Sequence, residues 1–116
     1  RAAAVRELGN FRDYMAVRRL LEIVTPTKKG EYLEDPMVLI SACRALGGLR
    51  VRQAEEQLID IAQGGKRHTL PEEVRAAAIT SLAAVGGENA RKVLRKLLKD
   101  GSLLIRSSAR KALGGH

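Results

Sequence analysis

Apolar residues in this chain recur three and four places apart, and nowhere do they alternate over a useful length. That spacing is the signature of amphipathic helices and leaves strands without support. Three segments superimpose when written in register: Val38 to Leu49, Val74 to Val85, and Ile105 to His116. Each carries Ala at a fixed offset (Ala42, Ala78, Ala109) and Leu four places later (Leu46, Leu82, Leu113). Gly47 and Gly114 follow directly, with Ala83 in the middle copy, and Arg1 to Phe11 supply a fourth copy lacking its first residue. Such recurrence predicts a stack of like units rather than one irregular core.

A second apolar stripe follows each complete first helix. It runs through Ala16, Leu20 and Val24, then Ala54, Leu58 and Ala62, then Ala90, Leu94 and Leu98. The pattern predicts helices beginning near Asp13, Val51 and Glu88, and so seven helices in all: four of the first type, the outer two cut short, and three of the second. Asp35 before Pro36, and Pro71 before Glu72 and Glu73, are expected helix starts, placing acid or proline at the positive end of the helix dipole. The glycine pairs 47–48, 64–65 and 86–87, with Gly114, read as helix ends where positive φ is needed.

The motif Val-Arg-x-x-Ala-x-x-x-Leu-(Gly/Ala)-x-(Val/Leu), followed by Ala-x-x-x-Leu-x-x-x-Leu, resembles the short bacterial HEAT repeat, also called the phycobilisome-lyase-type HEAT-like repeat. Its best copy is Val74 to Asp100. Leu39 departs from the usual Arg, and the loops Thr25 to Asp35 and Gln63 to Leu70 are long. The resemblance implies an all-α fold, a right-handed α-α superhelix (α-solenoid) of about three to four hairpins. The expected repeats are 1–33, 34–70, 71–102 and a partial 103–116, in one domain belonging to a longer chain. In solenoids of this kind the second helices line the concave face, and the repeat architecture together with the lack of a catalytic set leads to the expectation of a non-catalytic scaffold for a protein partner. The structural positions of the repeat are then Ala42, Leu46, Gly47, Val74, Arg75, Ala78, Leu82, Arg106, Ala109 and Leu113. The recurring Arg75 and Arg106 are expected to meet a carboxylate or a helix end in the adjacent repeat.

Composition narrows the chemistry. Ala, Leu, Val and Ile supply nearly all the apolar content, with no Trp, one Phe and two Tyr, which suits close helix packing and poorly suits base stacking. Cys43 lies in an Ala/Leu-rich helical pattern and reads as a small buried hydrophobe. No spacing points to a metal, a phosphate loop or a catalytic nucleophile, so no cofactor and no enzyme activity are expected. No run reaches the roughly 18 apolar residues of a membrane span, and a cytoplasmic location is expected.

Charge changes the picture most. The net charge is +8, and residues 88–116 carry eight basic against two acidic groups. Arg91, Lys92, Arg95, Lys96 and Lys99 form one stripe opposite Val93, Leu94, Leu97 and Leu98. Lys28, Lys29, Lys66, Arg67 and His68 add two basic loop clusters. The stripe suggests nucleic acid or another polyanion as an alternative partner. A blander expectation competes with it. Arg91, Lys92 and Lys96 align with Glu55, Glu56 and Asp60 of the preceding repeat, so the two rows could pair across the repeat seam. Arg95 and Lys99 align with Ile59 and Gln63 and would stay unmatched.

Overall fold

A computed structural model describes the backbone of residues 2–114 and the side chains of residues 13–114. The described residues form six α-helices: α1 (Ala2–Val24), α2 (Pro36–Gly48), α3 (Glu55–Ala62), α4 (Glu72–Val85), α5 (Glu88–Leu97) and α6 (Leu103–Ala112). A 3₁₀ turn, Arg52–Ala54, leads into α3. The array is an α-solenoid. One layer holds α2, α4 and α6, with α4 packed between the other two; the other layer holds α1, α3 and α5. The extents of 54 × 34 × 22 Å fit two helix layers, since packed helix axes lie about 8–10 Å apart.

Helix starts follow the local chemistry. The Asp35 carboxylate accepts the amide of Val38 at 3.0 Å, and Pro36 fills the first helical position, where no amide hydrogen is required. Ser102 caps α6 in the same way, accepting from the amide of Ile105. Gly64, Gly65, Gly86, Gly87 and Gly114 all adopt positive φ at helix ends.

The structure corrects the helix count. Ala2–Val24 is a single helix, so the expected first-type and second-type helices of the opening copy are not a hairpin. No proline interrupts the segment, and one interior glycine, Gly9, costs a helix only about 1 kcal/mol. Ala4, Leu8 and Gly9 fall where side chains lie outside the described residues, as does His116.

A second correction concerns Gly47–Gly48. Neither has positive φ; both lie within α2. A Cβ on Gly47 would come within 2.6–2.8 Å of Ser81, including its Cα. Gly47 is therefore the point where α2 and α4 cross with their backbones nearly touching. The Ser81 hydroxyl, itself buried, donates to the Cys43 carbonyl at 2.5 Å across the same crossing.

The core runs the length of the array. Leu39, Leu46, Leu58, Ile61, Ile79, Leu82 and Ile105 are fully enclosed, each worth about 1.5–3 kcal/mol in transfer from water. Of the repeat positions, Ala42, Leu46, Val74, Ala78, Leu82 and Ala109 are buried, while Leu113 is half-buried. Cys43 is enclosed too, and burial pushes its thiol up to about 12, so it stays protonated and inert.

Candidate binding surface

Arg75 and Arg106 stand at equivalent points and make equivalent contacts. Arg75 Nε donates to the carbonyl of Ala62, the last residue of α3, at 2.9 Å. Arg106 Nη1 donates to the carbonyl of Asp100, just past α5, at 2.8 Å. Arg75 thus satisfies a carbonyl that the end of α3 leaves without an intrahelical partner, and Arg106 one in the turn that follows α5. Arg75 also reaches forward, pairing with the Asp100 carboxylate at 2.7 Å, with side chains only 15% and 19% exposed. This hydrogen bond holds the Asp100 carboxyl below its ordinary range. At the matching point of α2, Leu39 is buried in the core.

The α5 cations occupy the side of the helix opposite Ala90, Leu94 and Leu97, and all five are exposed. Lys92, Arg95, Lys96 and Lys99 line one shallow open depression. Among the described residues, the ion pairs within 4.0 Å are Arg19 with Glu22 and Glu34, Arg67 with Glu31, and Arg75 with Asp100. None involves α5. The expected pairing of Arg91, Lys92 and Lys96 with Glu55, Glu56 and Asp60 is therefore not formed.

The acids have gone elsewhere. Half-buried Glu55 turns its carboxylate against Gly87, just before α5, with Oε2 buried near the positive end of the α5 dipole and without a hydrogen-bond partner. Glu56 is exposed. Asp60 is half-buried, and burial raises its carboxyl above the usual range, with Lys66 opposing and Glu56 reinforcing the shift.

The two long loops pack together. A Cβ on Gly30 would touch Lys66 Cβ at 3.1 Å and Arg67 Cγ at 3.5 Å, and Arg67 pairs with Glu31 at 3.0 Å. Exposed Lys28, Lys29, Lys66, Arg67 and His68 consequently share one edge, with Arg67 already engaged. A depression of about 560 Å³ beside them is lined by Tyr32, Leu33, Glu34, Leu39, Arg67 and Leu70, among others. The Tyr32 hydroxyl is buried without a hydrogen-bond partner. Burial first, then Asp60 and Cys43, push it up to about 12.

Residues 27–114 match the family described as HEAT repeats. The chain belongs to the HEAT repeat family. Searches of the curated proteins and of the solved structures return no significant match. HEAT repeats serve generally as scaffolds for protein–protein interaction and are not generally enzymes. No helix among the described residues is long and apolar enough to cross a membrane.

Proposed function

We propose that this HEAT-repeat chain is a non-catalytic scaffold that holds a protein partner on the outward surface of its stacked helices. The carrying observation is the contrast along α3, with the 3₁₀ turn that leads into it, and α5: equivalent inward positions, Ala54 with Ala90 and Leu58 with Leu94, are all buried. The outward positions are opposite in charge, Glu56 with Lys92 and the half-buried Asp60 with Lys96. A cytoplasmic location belongs to the same proposal, compatible with a single buried thiol. The test is capture on the immobilised full chain with free chain as competitor. A protein displaced in proportion to the competitor is expected. Identical recoveries with and without competitor would end this reading.

A second reading, nucleic acid or another polyanion, gains support from the exposed, unpaired α5 row and from the two basic loops sharing an edge. It predicts affinity that falls steeply with salt, with a further loss in the Arg95→Glu/Lys99→Glu chain. No binding to duplex or single strands at low salt would remove it.

A further inference from the structure

The two neighbouring helices of the second layer present opposite charge. Outward on α3 stand exposed Glu56 and half-buried Asp60, with Gln63 following the helix; at the same places stand Lys92 and Lys96 on α5, with Lys99 in the turn that follows it. With no ion pair between the two rows, both remain available to something outside. We infer that this face docks an acidic polypeptide segment along α5, and that the acids of α3 turn away a long polyanion such as duplex nucleic acid. The inference rests on the scaffold reading and names its partner class.

Dimensions and charge both favour a polypeptide. Lys92, Arg95, Lys96 and Lys99 follow i, i+3, i+4, i+7 spacing and span about 10 Å at 1.5 Å per residue. Two turns of a partner helix with carboxylates at the same spacing match that row. A duplex instead carries a charge about every 1.7 Å along its axis and extends past so short a row on both sides. The next helix lies only about 8–10 Å away, within the roughly 10 Å over which charges act at 0.1 M salt. Phosphates running off α5 toward α3 would therefore meet Glu56 and Asp60. A polypeptide can set acids over α5 and neutral or basic residues over α3.

α5 also offers an apolar contact at the end of its row. Val24, Ala62 and Leu98 are equivalent positions; the first two are 0% exposed and Leu98 is 37% exposed. An acidic segment carrying one apolar side chain near its end would cover it.

Fluorescence anisotropy on the full chain separates the possibilities, using labelled deca-glutamate and a labelled duplex of about twenty base pairs at about 50 mM salt. Deca-glutamate is expected to bind more tightly than the duplex and to lose about tenfold or more in the Arg95→Glu/Lys99→Glu chain. Glu56→Lys is expected to raise duplex affinity by about threefold or more while leaving peptide affinity within about twofold. Tighter duplex binding by the unaltered chain, or peptide binding indifferent to the α5 reversal, would overturn the inference. All three altered side chains are exposed, and circular dichroism verifies that each variant is folded. The two readings fail separately: a captured protein still held by the α5-reversed chain refutes docking on α5 and leaves the scaffold standing, while recoveries identical with and without competitor refute the scaffold itself.

Discussion

Helices α3 and α5 occupy the same place in successive repeats and share the residues at their deepest inward positions. They disagree wherever they face out. Ala54 and Ala90, Leu58 and Leu94 are interchangeable because both must fill the same space beneath the first-layer helices. Glu56 against Lys92 and Asp60 against Lys96 are opposite in charge; all but the half-buried Asp60 stand exposed. In a solenoid the inward pattern carries the fold, and information about a partner is left to the outward one. The two helices differ in one further respect, since the flank of α5 at Leu98 lies open where that of α3 at Ala62 is covered.

The largest effects are expected from inward changes. Leu58→Ala and Leu94→Ala should each cost about 2–5 kcal/mol in urea unfolding, with Leu58 the costlier because its helix is covered on both flanks. Equal costs would show that the open flank of α5 leaves Leu94 no looser. Next comes the α2–α4 crossing. Gly47→Ala forces a methyl into the Ser81 backbone and should cost about 1–3 kcal/mol. Gly48→Ala, one residue on and facing open space, should be neutral or stabilise by up to about 1 kcal/mol. Reversal of that order would contradict the crossing described.

Arg75→Met removes the helix-end contact and the pair with Asp100, at about 1.5–3 kcal/mol. Its pH dependence follows from the direction of the Asp100 shift. The folded carboxyl lies below the unfolded value of 3.8, so its contribution is fully present above that value and is lost as pH falls through the lower folded one. Asp60 runs the other way. Its folded carboxyl lies above 3.8, so ionisation costs stability as pH rises through the folded value, and the cost is absent below 3.8. Asp100→Asn should thus lower the midpoint of thermal unfolding at neutral pH, and Asp60→Asn should raise it slightly. Two shifts of the same sign would contradict these environments.

The layered fold was readable because three- and four-residue spacing, Asp35 with Pro36, and the glycines at 64–65 and 86–87 each state a local requirement. The recurring arginine was readable for the same reason: a helix end recurs with every repeat and needs a donor. Four features were not. Gly9 looks like a stop, yet a glycine alone cannot end a helix whose remaining residues favour it. Gly47 looks like a cap, but its role depends on Ser81, thirty-four residues away in the chain. The expected seam between Glu55, Glu56, Asp60 and the α5 row does not form: Glu55 lies against Gly87, Glu56 stands exposed, and Asp60 is half-buried. Contact between the two long loops was equally hidden, since it depends on stacking and not on any local pattern.

The claim that the outward face of α5 is the binding surface meets its most direct test in a nitrogen-15 NMR titration of the full chain with deca-glutamate. Shift changes concentrated on the amides from Lys92 to Lys99, with α2, α4 and α6 unmoved, are the predicted result. Changes spread over the first layer, or confined to the loops at 28–29 and 66–68, would contradict it.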